Sequence, residues 1–532
     1  MSQAFGFSCK GGLNINLNNF ELLTQPGTAT ILRNFEVDSD GGYRRVNGYE
    51  AYGDTRPNSS NRVLGMAIYG DGLIVCSGTG IYFTLDGSTW VQINRASVSG
   101  SGDNYSTFTG RSLDARTSQG QCSISIYEGD TTYGEVFICD GANKPFYFKM
   151  TGTGDTVSDR TYFASEVTVS STIAPSVGVI HDKHFVVSGA SAAPNTVYYS
   201  GTLDPDDFTS TGSGTIQLED KVIGLKSFRN DLFIFCVNSI FKLSNINNSS
   251  TIVVTPITKN VGCLSHFSIQ EIGGDLVFLA PDGIRSVAGT ARIGDVELGS
   301  VSRQIQPLIT DLAKAINNFN ITSCVIRKKS QYRLFYSGNS TSVSDSRGII
   351  GTLTKNGFEW SETMGIQCPA ISSGFNNDGV EEIYHGDNSG YIYTHDTGNS
   401  FSDSGSTINV VARYQTPHYD FGDAGTRKTL KYAKISVTPE GSMEPSLRVR
   451  YDFDDNNVPQ PADITLSNIL VPALFGSAVF GTAQFGGSSD PMVRQTITGS
   501  GHAANFRIDS DDKKSVYAIN GMYIDYVPSG RR

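Results

Sequence analysis

Between Val63 and Phe401 the chain repeats one pattern of apolar and polar positions. An apolar run ends in a turn of Gly, Asp or Asn, a second apolar run follows, and a short aromatic strand often comes after it. VLGMAIYGDGLIVCSGTGIYFTLDGSTW shows the pattern first, SVGVIHDKHFVVSGASAAPNTVYYSG repeats it, and VIGLKSFRNDLFIFCVNSIFKLSN is the cleanest copy. HFSIQEIGGDLVFLAPDGIRSVAG, TSCVIRKKSQYRLFYSG and AISSGFNNDGVEEIYHGDNSGYIYTHD continue it, and GEVFICDGANKPFYFKM is a shorter relative. Apolar runs joined by GDG, HDKH, RND, GGD or KKSQ are what antiparallel hairpins require. Copies recur every ~40–60 residues, the spacing of propeller blades. Six or seven would close into a ring and leave only short edges. The pattern predicts an all-β fold with a β-propeller-like platform over residues 63–405; a large sandwich and a β-helix are the rival architectures.

Three stretches break the pattern. SVSRQIQPLITDLAKAINNFN places Ile305, Leu308, Ile309, Leu312, Ala313 and Ile316 at helical spacing, which predicts one amphipathic helix near 301–319. Ser302 is its candidate cap, and Pro307 fits only a first turn. The helix covers either its own core or a neighbouring subunit. After Ser406, long alternating runs such as KTLKYAKISVTPEG and YAINGMYIDYVPSGRR predict a C-terminal β-sandwich-like domain over 406–532. Within it ALFGSAVFGTAQFGG repeats Phe475, Phe480 and Phe485 every five residues, a period of neither helix nor strand. We read it as a loop that packs on a partner or on its own domain. Residues 1–62 form an extended, Asn-rich strap ending in GGYRRVNGYE.

Composition narrows the function classes. Hydrophobic residues make up 38% of the chain and charged residues 17%, a globular balance. The net charge of −11 argues against a general nucleic-acid-gripping surface, which needs clustered Lys and Arg. It still suits a wall along which DNA slides without being held. The eight cysteines include no CxxC pair, and Cys76 and Cys236 sit in apolar runs, as reduced structural thiols of a cytoplasm-folded protein do. No apolar run approaches the ~18 residues of a membrane span, and the first residues lack the apolar core of a secretory signal.

Candidate chemistry is sparse. TLDGSTW is similar to the Asp-box turn of sialidases but lacks one intervening residue, and that turn is structural. Asp204, Asp206 and Asp207, like Glu381, Glu382 and Asp387, supply loop acids with no spacing that sets a catalytic pair. DFDDNN and DSDDKK offer clustered oxygens without an EF-hand pattern. His181 and His184 have no third metal ligand in view. No phosphate loop, dinucleotide fingerprint or nucleophile elbow occurs. The expectation is a protein with no enzyme activity, no cofactor and no metal.

The strap, with Gly11–Leu13, Pro26-Gly27, Asn34–Glu36 and Gly41–Glu50, resembles the N-terminus of tail nozzle (tail tubular protein B-like) proteins of short-tailed bacteriophages. IGDVELGSVSRQIQPLITDL and the closing YAINGMYIDYVPSGRR are similar to the same group. The resemblance implies a propeller platform with an added β domain, assembled as a homohexameric ring in the virion tail. Its partners would be the adaptor and portal-side proteins above and a fibre, needle or plug below, with genomic DNA in transit and not specifically bound. Tyr43, Arg44, Arg45, Phe475, Phe480 and Phe485 are the candidate subunit-interface residues. The strap either adds to a neighbour's sheet, where Arg44 and Arg45 would meet acidic groups, or completes the chain's own first blade. Gly41 and Gly42 set its turn in both cases. A receptor-binding or glycan-degrading tail propeller is the alternative.

Overall fold

The computed structural model describes residues 2–38, 41–93, 108–109, 116–117, 120–129, 133–170, 173–248, 250–288, 300–466 and 492–531. Phe475, Phe480, Phe485 and the IGDVELG stretch lie outside these residues. The fold is all-β and contains a propeller. Six sheets of three to five strands stand as blades. The innermost strands Val63–Tyr69, Ser123–Tyr127, Val177–His181, Val222–Phe228, Gln270–Ile272, Asn320–Ile326 and Ala370–Phe375 follow one another around the axis, and the last packs on the first. The Asn320–Ile326 sector is not a separate blade. Its four strands, through Gly357–Met364, continue into a nine-stranded sheet that leaves the propeller.

The hairpins obey local rules. At HDKH, Asp182 and Lys183 both take left-handed φ (45° and 68°), the turn that matches strand twist. The apolar cores of the strands are buried between blades, and all eight cysteines are buried and unpaired.

The second unit is two sheets packed face to face. One contains Phe35–Val37, Tyr43–Arg45, Tyr517–Arg531, Thr426–Pro439 and Met492–Thr496, with Gln3–Ser8 also pairing on the long closing strand. The other is the outer half of the nine-stranded sheet: Ile31–Arg33, Val410–Gln415, Ala504–Asp512, Ser446–Tyr451 and Ile464–Thr465. Leu32, Phe35, Tyr43, Tyr414, Ile435, Val449, Phe506 and Ile519 fill the space between them. The strap is thus part of the sandwich. It does not complete the first blade: Tyr49–Ala51 pairs with Ile392–His395 and closes the last one. A short helix, Asn19–Leu22, interrupts the strap, started by an Asn18–Glu21 capping box that the extended reading missed.

The predicted helix is shorter than 301–319. It runs Gln306–Lys314 between two short 3-10 turns, with Pro307 in its first turn and Ile309 and Leu312 buried against its own chain. Ser302 does not cap it. Its hydroxyl accepts a hydrogen bond from the Ile284 amide (2.9 Å), a tertiary donor that outcompetes the helix end.

Two strap glycines allow a direct test. Gly27 has φ +99°, and an added Cβ would lie 1.9 Å from the Ser8 carbonyl oxygen; Gly41 has φ +97° with open space around it. Gly41→Ala is expected to cost only the left-handed backbone strain, ~1–2 kcal/mol. Gly27→Ala adds a backbone clash and is expected to cost clearly more. Thermal unfolding of the two variants checks the order, and equal costs would contradict this packing.

Candidate functional site

The strap residues singled out from sequence come together, but inside the chain. Tyr43 is fully buried, donates to the Gly27 carbonyl (2.8 Å) and packs edge-on against Tyr414. Arg45 is equally buried and donates to Asp512 Oδ1 (2.8 Å) and to the carbonyls of Lys514 and Asp512. Arg44 bridges Glu36 Oε1 (2.9 Å) and Glu440 Oε2 (2.8 Å). These groups meet acids, as expected of arginines in a strap, but the acids belong to the same chain. No side-chain surface of Tyr43 or Arg45 is left for a neighbour.

Glu36 also anchors a buried charge network that the sequence reading passed over. Its Oε2 accepts from Arg333 (2.8 Å) and Gln331 (3.2 Å), and its Oε1 from Lys329 (2.9 Å). Arg333 and Lys329 both reach Asp396 Oδ1 (3.0 and 2.8 Å). Arg333 Nη1 lies 3.0 Å from His395 Nε2, and His395 Nδ1 lies 3.2 Å from His385 Nδ1. Strap, nine-stranded sheet and last blade thus share one cluster. Burial pushes Glu36 up, and Lys329 and Arg333 together outweigh it and hold the carboxylate below its usual range. The available signal was Arg333 itself, one charge inside the apolar run YRLFYS.

The propeller axis is crossed by side chains. Gln121 Nε2 donates to the Ile321 and Pro369 carbonyls (2.9 and 3.2 Å), Gln270 Nε2 to the Ser323 carbonyl (2.9 Å), and Ser123 Oγ lies 3.3 Å from His266 Nε2. They line a cavity of about 170 Å³, next to a second of about 240 Å³. Lys226, Gln270, Ser323 and Ile371 line both. Among the described residues the axis thus holds two small cavities between these crossing side chains.

A third feature is a half-buried arginine ladder on the outer face of the nine-stranded sheet. Arg347 and Arg33 share Glu362 (3.0 and 3.1 Å), Arg413 and Arg507 share Asp509 (2.9 and 2.7 Å), and Arg448 and Arg450 reach Asp463. Arg33 stands directly opposite Arg413, and Arg448 opposite Arg507, in the strand registers. Like charges in such positions repel, and the carboxylates Glu362, Asp463, Asp509, Asp511 and Asp454 nearly balance the six arginines along this face.

The other candidates serve local structure. His184 contacts the Ser200 carbonyl and Asn247, and His181 contacts Ser227. Asp86 accepts from the Ser88 and Thr89 amides and Trp90 closes onto Gly87, so TLDGSTW is a self-bonded turn. Glu381 accepts from the Arg327 and Lys328 amides, Glu382 from Asn376 and Tyr384, and Asp387 from Ser389, Tyr391 and Tyr393. Asp207 accepts from the Thr209 amide and hydroxyl, and Asp206 is pushed up by burial and by neighbouring Asp204. Asp452, Phe453 and Asp454 form a left-handed turn pinned by the His502 and Ala503 amides, and Asp509 and Asp512 are held by arginines. Among the described residues no His, Cys, Asp and Glu cluster suits a metal, and no helix is long and apolar enough to cross a membrane.

No protein-family model matches the chain, and no curated protein matches it. Among solved structures it is similar to an exo-β-1,3-galactanase from Phanerochaete chrysosporium, at 8% identity and a TM-score of 0.25, over 90% of this chain and 100% of that one. It is also similar to PorZ, a surface component of the type-IX secretion system of Porphyromonas gingivalis, at 11% identity and a TM-score of 0.37, over 70% of this chain and 52% of that one. At these identities neither protein's activity transfers to this chain.

Proposed function

We propose that this chain is a non-catalytic component of a short phage tail, a nozzle-type ring subunit with DNA passing between copies and not through the propeller. The carrying observation is where the family-like residues lie. Gly12, Gly27, Asn34, Gly42, Tyr43 and Arg45 converge on the junction of strap, closing strand and nine-stranded sheet. Gly12 and Gly42 have left-handed φ with backbone atoms 2.7 and 2.8 Å from an added Cβ. Asn34 is left-handed (φ 52°), and its amide group bonds Met364 and Val411. The resemblance therefore rests on positions that the fold constrains, which a chance likeness of composition would not favour. Hydrolysis of a glycosidic bond usually uses two carboxyl groups flanking it; among the described residues lining the axis cavities, Glu271 is the one carboxylate. The reading thus leaves enzyme activity out.

Tyr43 and Arg45 have no surface left for a neighbour. The ladder arginines are also paired within the chain but are part exposed. We assign them to acidic groups of a neighbour that would share them with Glu362, Asp509 and Asp463 in a heterologous ring. The test is electron microscopy of purified protein, alone and mixed with portal–adaptor complexes. A ring is expected on the complex. The double variant Arg413→Gln/Arg448→Gln, which removes the charges without setting carboxylates against Asp509 and Asp463, is expected to abolish the ring and shift the unfolding temperature by a few degrees, because such partly exposed pairs contribute on the order of 1 kcal/mol each. A monomer under both conditions, or a trimeric spike, would overturn the tail-ring reading.

A further inference from the structure

Two buried cysteines meet where the first blade packs on the second. Cys76 lies on Gly72–Ser77 of the first blade, and Cys122 immediately precedes Ser123–Tyr127 of the second. Gly65 makes room for the meeting. It stands opposite Cys76 in the strand register, on the same face of the blade. A Cβ added to Gly65 would lie 2.9 Å from Cys122 Cβ and 2.7 Å from the Cys122 carbonyl oxygen. The Gly65 φ is not left-handed, so this glycine supplies space and not backbone freedom. The Cys122 amide donates to the Leu64 carbonyl (2.8 Å), which fixes the approach. The two thiols share a hydrogen bond. Other cysteines reach oxygens instead: Cys9 bonds Tyr414, Cys263 bonds Ser265, and Cys368 bonds the Ala370 carbonyl.

The surroundings suit oxidation of this pair. Cys122 and Gly65 line the axial cavity of about 170 Å³, so a small oxidant has space beside Cys122. Arg116, buried and paired with Asp140 (3.0 Å), acts on both sulfurs. The hydrogen bond from Cys122 lowers Cys76 most; burial opposes it and Arg116 assists it. Thiols in contact need only a small rotation to reach the S–S length of ~2.05 Å. We propose that Cys76 and Cys122 form a peroxide-sensitive dithiol that closes to a disulfide and staples the first blade to the second. The shared proton moves onto Cys76, and the Cys122 thiolate attacks one oxygen of hydrogen peroxide. The O–O bond breaks, Cys122 becomes a sulfenic acid, and hydroxide leaves. Cys76 gives its proton to that hydroxide, and its thiolate attacks the Cys122 sulfur. The S–S bond forms as the S–O bond breaks and a second hydroxide leaves, to be protonated by water. The sulfurs lose two electrons and the peroxide oxygens gain them. The sum is two thiols and one peroxide to one disulfide and two waters.

The staple goes beyond the tail role and does not rest on it. A reducing cytoplasm keeps the dithiol open, and an oxidising exterior closes it. The test is peptide mapping of the folded full chain after hydrogen peroxide treatment, with the remaining thiols alkylated in denaturant. The intact chain is expected to lose two hydrogens, with a Cys76–Cys122 cross-linked peptide as the main product and the other cysteines alkylated. The unfolding temperature is expected to rise by several degrees and to return with dithiothreitol, because the cross-link restricts the unfolded chain. Cys76→Ala is expected to leave Cys122 as a sulfenic acid that dimedone traps, and Cys122→Ala to leave Cys76 unlabelled. Absence of the cross-link in the unaltered folded chain overturns the proposal. Equal cross-linking among the other cysteines, or a cross-link that forms only in denaturant, does the same. A ring built from chains that never form the cross-link overturns the staple and leaves the tail reading standing.

Discussion

Arg333→Met is expected to destabilise the protein by about 3–5 kcal/mol, the cost of stranding buried charge. Arg333 is buried and touches two buried carboxylates, Glu36 at 2.8 Å and Asp396 at 3.0 Å. Without it, Glu36 keeps Arg44 and Lys329, and Asp396 keeps Lys329 with Lys328 at 3.8 Å, so two cation contacts inside the cluster are lost at once. Methionine fills similar volume, so a cavity is not the main cause of the loss. The loss should be local first. The strands held by the cluster, Phe35–Val37 of the strap and Ile392–His395 of the last blade, should lose hydrogen-exchange protection before the other blades. Glu36→Gln in the same background should recover part of the loss, because it removes one stranded charge and residues in contact do not add. Denaturant unfolding and exchange mass spectrometry read both effects. A loss below ~1 kcal/mol would mean that the network is solvated in solution.

Acid should weaken the fold well above the carboxylate range. His385 and His395 are buried and His266 is half-buried, and desolvation lowers all three, His266 to about 4 and His385 to about 3. In the unfolded chain a histidine titrates near ~6.5. The folded values lie below the unfolded one, so the unfolded chain binds protons first as pH falls. Stability is full above ~pH 6.5 and declines toward the folded values. Each histidine contributes a slope of ~1.4 kcal/mol per pH unit, so the three together approach ~4 kcal/mol per unit once below ~pH 6. The hydrogen bonds agree with neutral rings. Arg333 donates to His395 Nε2, which leaves the proton on His395 Nδ1 to donate to His385 Nδ1. His385 Nε2 then carries a proton with no partner, and a further proton on this pair would sit beside Arg333. Glu36 and Asp396 act in a separate window. Both are held below their usual values, so their contribution is lost only as pH falls below ~4. Unfolding temperatures from pH 8 to 5 test the idea, and His385→Gln should reduce the slope by less than a third, because burial also lowers His181 and His418. A flat profile between pH 7 and 5 would refute it.

The sequence alone determined the hairpins. A period of two tells which residues of a strand share a face, and a turn such as HDKH needs only its own four residues, so blades and turns were legible before any fold was known. Pro307 marked a helix first turn for an equally local reason. The apolar settings of Cys76 and Cys236 likewise foretold their burial. What tertiary structure alone decided was pairing across long separations. Periodicity names a face and never a partner, so nothing in GGYRRVNGYE said that Tyr49–Ala51 would close the last blade, or that Arg45 would meet Asp512. Charges inside apolar strands, Arg333 and Lys226, were visible as exceptions. Whether such a charge is neutralised depends on the carboxylates that folding brings to it from hundreds of residues away. For Arg333 folding brings Glu36 and Asp396; for Lys226 it brings Glu271. Ser302 makes the same point in miniature: a capping residue by sequence, it is drawn off by the Ile284 amide, because a hydroxyl bonds the donor that folding places nearest.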